Sequence, residues 1–193
     1  MEYFGLRAVD LEVAPLLNAL ACQPQLWNAE RLRTTYPGTP HGDISDILLR
    51  FADLPRFRVT GDIEVLMGNQ PQRWYPAARV LPEAFPLVAQ VMGLACAEQL
   101  GRVMVTKLPP GGHIAPHRDE GGYPQAYQRW QLPLQGDEGC LFRCATEAVT
   151  MRPGELWTFC AEEEHEVWNH GAVDRIVLIV DARPCAWGVD DAT

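Results

Sequence analysis

Three residues in the second half of this 193-residue chain have the types and spacing of a metal site: His117, Asp119 and His165. In His117-Arg118-Asp119, within a strand or at its end, positions i and i+2 face the same way. The imidazole and the carboxylate can therefore meet at one point. A third ligand is needed, and His165, which opens the strand-like piece His165-Glu166-Val167-Trp168, is the candidate. Two imidazoles and one carboxylate on one face of an octahedron suit non-haem Fe(II) and leave positions open for a chelating 2-oxo acid and dioxygen. His41-Gly42-Asp43 repeats the pattern in a Pro/Gly-rich stretch, YPGTPHGD. Asp43 there is expected to cap a following short helix, which makes His41 a decoy.

Arg175 lies ten positions after His165 and opens the run Arg175-Ile176-Val177-Leu178-Ile179-Val180. The run is apolar on both faces and reads as a fully buried strand. Val173, Arg175, Val177 and Ile179 share one face. An inward arginine needs an anionic partner, because a lone buried charge is very costly. A dicarboxylate cosubstrate such as 2-oxoglutarate supplies one through a bidentate pair. The competing partners are Asp174 and Glu162 to Glu164. Arg129 and Gln131 form another i, i+2 pair. Either both face the cavity and touch the cosubstrate's second carboxylate, or they form the solvated face of an edge strand. His113 reads as a supporting or structural group, since Pro116 and Gly111-Gly112 rule out a helical pairing with His117. His170 reads as exposed in a turn. Trp157 and Trp168 read as core or cavity wall.

The elements that must position these residues change in texture along the chain. The first hundred residues read as helical and looped. Helical spacing occurs over Ala14 to Gln23 and over Phe85 to Gln99, the latter expected to end near Gly101, with a short helix around Ile44 to Phe51. From Arg102, short strand-like pieces alternate with turn signals, among them Pro109-Pro110-Gly111-Gly112, Gly136-Asp137-Glu138-Gly139, Pro153-Gly154 and Asn169-His170-Gly171. About eight such strands fit a double-sheet jelly roll of the cupin type. The expected fold is mainly β, a double-stranded β-helix, with N-terminal helices packed on one outer face. Residues 1–101 would be cover and specificity region, and 102–185 the catalytic core, in a single structural domain.

Composition excludes some classes of function. Twenty-five acidic against 16 basic residues give a net charge of −9, which argues against a nucleic-acid partner. Lys107 is the one lysine and the other bases are arginines, suited to bidentate anion contacts. Arg31, Arg33 and Arg50 are either binders of a substrate carboxylate or phosphate, or solvated surface arginines. No apolar run reaches 18 residues, so no membrane span is expected. The N-terminal MEYFGLRAVDLEV has acids where a signal peptide is basic and then apolar. None of the six cysteines forms a C-x-x-C pair, and Cys140 and Cys144 lie on one strand face, so a reducing cytoplasm is the expected compartment.

The stretches GGHIAPHRD, RWQLPL, CLFRCATE, PGELWTF and HEVWNHGAVDRIVLIVD, between Lys107 and Asp181, resemble the aspartyl/asparaginyl β-hydroxylase family of jelly-roll Fe(II)/2-oxoglutarate-dependent oxygenases. The resemblance implies iron ligands at His117 and His165 and a 2-oxoglutarate clamp at Arg175, with Arg129 and Gln131 as further cosubstrate contacts. Two departures stand out. Some members have glycine where this chain has Asp119, so a full triad is expected here. Gln131 replaces a histidine and is limited to hydrogen bonding. The implied activity is hydroxylation of an unactivated C–H of an amino acid, peptide side chain or small metabolite. The alternatives are a cupin-type metal enzyme that does not use 2-oxoglutarate, for which a carboxylate clamp has no purpose, and a non-catalytic jelly-roll binding module.

Overall fold

The computed structural model describes residues 1–185. In chain order the strands and helices are β1 (Phe4–Ala8), α1 (Ala14–Ala21), α2 (Leu32–Thr35), β2 (Ser45–Phe51), α3 (Leu54–Thr60), α4 (Glu64–Met67), β3 (Arg73–Trp74), α5 (Ala77–Val80) and α6 (Ala84–Leu94). Then come β4 (Ala97–Leu108), β5 (His113–His117), α7 (Gly122–Ala126), β6 (Gln128–Gln135), β7 (Cys140–Cys144), β8 (Glu147–Val149), β9 (Leu156–Phe159), β10 (His165–Asn169) and β11 (Arg175–Pro184). A seven-stranded sheet has the order β1-β9-β6-β11-β4-β2-β3, and a four-stranded sheet the order β5-β10-β7-β8. All recorded pairings are antiparallel. The fold is the expected jelly roll, two sheets face to face with α1, α5 and α6 on the outer face of the larger one.

Period-two alternation on the central strands of the large sheet divides two chemistries between its faces. On β11, Ile176, Leu178 and Val180 point outward and join Val103 and Val105 of β4 and Trp130, Leu132 and Leu134 of β6. The apolar sides of α1 (Leu16, Leu20), α5 (Ala78) and α6 (Leu87, Val88, Val91) cover that face. The odd-numbered residues of β11 point between the sheets: Arg175, Val177, Ile179 and Asp181. There Val177 and Ile179 pack with Leu48, Phe51 and Met104. At one end of the sandwich Phe4, Leu108, Trp157 and Phe159 meet Ile114, Phe142 and Val167 of the small sheet. The inner face is thus apolar at that end and around Val177 and Ile179, with Arg129 and Gln131 of β6 and Arg175 and Asp181 of β11 as polar groups among them.

Two expectations are corrected. Ser45–Phe51 is strand β2, not a short helix. Its Ile47 and Leu49 join the core under α1, α5 and α6, while Leu48 and Phe51 pack on the opposite face with Leu54 of α3 and Leu66 of α4. Burial on both faces hides the strand period and leaves a short apolar run ambiguous from sequence alone. With β1 and β3, it adds short strands of the first hundred residues to the large sheet, beside the helices and loops expected there. The second correction concerns α6, which ends at Leu94 rather than near Gly101. Cys96 turns the chain with φ +46°, and from Ala97 the backbone pairs with β11. Pairing with a buried strand overrides local helix preference here. All six cysteines are free thiols.

Leu178 is fully buried at the centre of the larger core. Replacing it by alanine removes packed methyl groups from a sheet–helix interface that cannot collapse freely, so Leu178→Ala should cost about 2–5 kcal/mol in urea unfolding. A loss below about 1 kcal/mol would contradict its central placement.

Candidate active site

The two imidazoles meet because their strands pair in register: His165 of β10 lies opposite His117 of β5. Their ring centroids are 4.2 Å apart. The β4–β5 turn that sets this register closes at Gly111, at φ +77°, whose amide donates to the Asn169 carbonyl at 2.7 Å. Asp119 follows β5, and its amide donates to the Ala161 carbonyl at 3.0 Å. One ligand atom from each of His117, Asp119 and His165 lies within 4.8 Å of the other two.

Each of these side chains is held by one polar atom and leaves another free. His117 Nδ1 is 2.8 Å from the Ala115 carbonyl, and His165 Nδ1 is 2.9 Å from the Glu163 carbonyl. A carbonyl only accepts, so each Nδ1 carries the proton and each Nε2 keeps a lone pair, the arrangement typical of metal-binding histidines. Asp119 Oδ2 accepts from Arg129 Nη1 at 2.6 Å. Its Oδ1 lies 3.9 Å from His117 Nε2. Burial pushes both histidines below their ordinary range, His165 to about 4, with His117 adding to the effect there. Burial opposes ionisation of Asp119, but the positive Arg129 and the two histidines outweigh it and hold the carboxyl below its usual value. Two neutral imidazoles and a carboxylate at one point can hold a divalent transition metal, and the N, N, O donor set fits Fe(II).

Arg129 braces this cluster from the large sheet. Besides Asp119, it forms a bidentate pair with Asp181, Nε to Oδ1 at 2.9 Å and Nη2 to Oδ2 at 3.1 Å. Arg129 and Asp181 are register partners on β6 and β11. Burial alone would weaken the Arg129 charge, but Asp119 and Asp181 together hold it above its ordinary range. Arg129 therefore lies in an interior strand, not on a solvated edge, with its guanidinium already engaged by two carboxylates. Sequence reasoning missed Asp181, although a period-two reading of the buried run from Arg175 through Val177 and Ile179 places it on the same face.

Arg175 is 5% exposed, and Gln131 is buried beside it. Arg175 Nη2 donates to Gln131 Oε1 at 3.0 Å. Among the described residues no carboxylate forms an ion pair with Arg175. Asp174 is 4.0 Å from Lys107 instead, and Glu163 and Glu164 pair with Arg118 and Arg143. Burial lowers the Arg175 guanidinium to about 10. A buried cation held by one neutral amide can receive an organic carboxylate.

His41 is no decoy by position. Its ring lies 5.0 Å from that of His117, edge-on. Asp43 does not cap a helix; its Oδ2 accepts from the His113 amide at 3.0 Å. With a bond from the Ala115 amide to the Pro40 carbonyl, it pins the loop against β5. Burial, then Arg33 and His117, drive His41 well below its ordinary range. No periodic signal in the sequence marks this, because a loop places the residue. His113 is 3.0 Å from Glu166 and stacks on Trp168, a supporting role as expected, and His170 is exposed.

A cavity of about 550 Å³ opens beside His117 and Asp119. Its wall includes His41, Arg33, Phe51, Leu66, Met104 and Arg129. Arg50 is directed elsewhere, to the Gly101 carbonyl and over Trp74, and Arg31 is exposed beside α2.

Comparison with known proteins agrees with this architecture. A human aspartyl/asparaginyl beta-hydroxylase is 35% identical over 82 residues, which are 42% of this chain and 10% of that protein. An ornithine lipid ester-linked acyl 2-hydroxylase from Rhizobium tropici is 25% identical over 169 residues, 80% of this chain and 56% of that one. This chain thus spans about a tenth of the human relative and just over half of the bacterial one. In fold it is similar to a Pseudomonas putida prolyl-4-hydroxylase, with TM-score 0.50 and 15% identity over 95% of this chain and 93% of that one. The family model for aspartyl/asparaginyl beta-hydroxylases matches residues 62–184, a span that contains His117, Asp119, Arg129, His165 and Arg175, and the chain belongs to that family.

Proposed function

We propose that this chain is an Fe(II)/2-oxoglutarate-dependent oxygenase, with His117, Asp119 and His165 as iron ligands and Arg175 as the cosubstrate clamp. The observation that carries the reading is the convergence of three ligand atoms within 4.8 Å, each on a side chain whose other polar atom is tied down. Bound there with 2-oxoglutarate, ferrous iron supplies the chemistry that couples oxidative decarboxylation to succinate with hydroxylation of a substrate C–H.

The chain's own residues bind and orient. Arg175 receives the distal carboxylate of 2-oxoglutarate through its buried guanidinium, where a bidentate ion pair is strong. Gln131 fixes the Arg175 fork by hydrogen bonding to it. Arg129 is assigned to the cosubstrate's other end with less freedom, because Asp119 and Asp181 already engage it. Its main task is to orient Asp119 so that Oδ1 faces the metal. The buried Arg175, free of any ion pair among the described residues, favours this reading over a cupin-type enzyme that does without a 2-oxo acid.

Residues 1–101 act as cover and specificity element in this reading, since Leu32, Arg33, Tyr36, His41, Phe51 and Leu66 contribute to the cavity wall. The relatives' names point to an aspartyl or asparaginyl group and to a lipid acyl chain. The substrate here is accordingly an amino acid, peptide side chain or related small molecule presenting an unactivated C–H. Among the described residues no helix is long and apolar enough to cross a membrane.

Three outcomes are expected. Succinate release from 2-oxoglutarate with iron and ascorbate should fall to background in His165→Ala; undiminished release there would contradict the ligand assignment. Arg175→Leu should weaken 2-oxoglutarate binding at least about tenfold, as loss of a charge-assisted pair implies, while iron content stays near stoichiometric. The third outcome concerns pH. His165 is depressed to about 4 against an ordinary 6.5, so between those values the unfolded chain binds a proton that the folded chain refuses. This contribution to the stability of the metal-free protein is complete above about pH 6.5 and is lost as pH falls toward 4. NMR titration of the His165 ring in the metal-free protein should give a midpoint near 4, and a midpoint at or above 6.5 would refute the burial argument.

A further inference from the structure

Four arginines line the cavity beside the cluster: Arg33, Arg102, Arg118 and Arg129. Three have carboxylate neighbours. Arg33 lies 3.5 Å from Asp46, Arg118 3.2 Å from Glu163, and Arg129 is held by Asp119 and Asp181. Arg102 has no carboxylate ion pair among the described residues.

Arg102 precedes Met104 by two on β4 and so points, like Met104, between the sheets. Its backbone amide donates to the Tyr123 hydroxyl at 2.7 Å. The guanidinium then lies over the Tyr123 ring at 3.8 Å and near the Phe51 ring at 4.6 Å. Nη2 donates to the Leu66 carbonyl and Nε to Gln72 Oε1 at 3.4 Å. Of the five N–H groups of a guanidinium, both on Nη1 and the second on Nη2 have no protein acceptor among the described residues. Two aromatic faces and one carbonyl thus fix the plane of the fork and leave its donating edge free. Leu66, Met67, Phe51 and Met104 supply apolar wall in the same cavity, which also reaches His117 and Asp119.

We propose that Arg102 is a specificity-determining residue that binds a carboxylate on the substrate, with the substrate's apolar skeleton lying along Met104 and Leu66 toward the metal cluster. The inference rests on the oxygenase reading for its meaning but not for its test. One free fork edge matches one carboxylate. A phosphate dianion would call for a second free cation, and the other cavity arginines are already paired. Arg102 does not duplicate Arg175, which sits deeper, is not among the cavity-lining residues, and is tied to Gln131.

The test compares binding of octanoate, octanamide and octyl phosphate to the full chain by calorimetry, with oxygen excluded and with iron and saturating 2-oxoglutarate present. Octanoate should bind about tenfold or more tightly than octanamide, the ratio expected for one charge-assisted pair. In Arg102→Gln the ratio should collapse to within about twofold, and in Arg102→Lys, which keeps the charge, a preference for octanoate should survive. A purely structural arginine would leave the ratio unmoved. If Arg102→Gln does not fold, the wild-type ratio decides alone: a value below about twofold overturns the proposal. Tighter binding of octyl phosphate than octanoate overturns the carboxylate assignment. A preference that survives Arg102→Gln but vanishes in Arg175→Leu overturns it as well, by placing the anion at Arg175. Failure of 2-oxoglutarate to bind the wild type counts against the oxygenase reading instead, and is seen separately in its own titration.

Discussion

Arg129 is the group that ties the two sheets into one site. From the interior of the seven-stranded sheet it spans the sandwich, taking Asp181 of β11 with two nitrogens and Asp119, beyond β5, with the third. A charge in this position is tolerable only because it is paired on both sides, and removing one partner of a buried pair leaves the other exposed to the full desolvation cost. The geometry of the cluster follows from it. With Oδ2 of Asp119 fixed by Arg129, only Oδ1 is available to face the histidines.

The same principle of one atom anchored and one atom free governs the imidazoles. Carbonyls two residues before each ring, at Ala115 and Glu163, hold the Nδ1 protons. These carbonyls belong to a strand and to a loop packed against it, so ring orientation is a consequence of backbone pairing rather than of contacts between rings. Burial then keeps both rings neutral. The outer face of the seven-stranded sheet contributes differently, since its Leu, Val and Trp side chains under α1, α5 and α6 supply the rigidity that allows polar residues on its inner face.

Much of this site was legible from residue order. His117 ends a strand with Asp119 two residues on, His165 opens a second strand, and Arg175 begins a run too apolar to be anything but buried; each is a pattern local to a few residues. Arg129 and Gln131 were recognisable as a pair, but their partners were not. Gln131 meets Arg175 and Arg129 meets Asp181 because β6 and β11 are neighbours in a given register, and a register between strands distant in sequence leaves no mark on either strand alone. His41 and Arg102 were missed for related reasons. A loop pinned by His113 and Ala115 carries the first to the cluster, and the second gains significance only from having no ion-pair partner among the described residues.

By itself the sequence determined the class of fold, the histidine and carboxylate types that meet at one point and the burial of Arg175, since alternation, turn residues and the cost of an inward charge act over a few residues. Only the tertiary structure decided that Ser45–Phe51 is a strand, that α6 ends at Leu94, and which charges neutralise one another across the cavity. These outcomes depend on which strands become neighbours, and that is settled by burial summed over the whole chain rather than by any window of it.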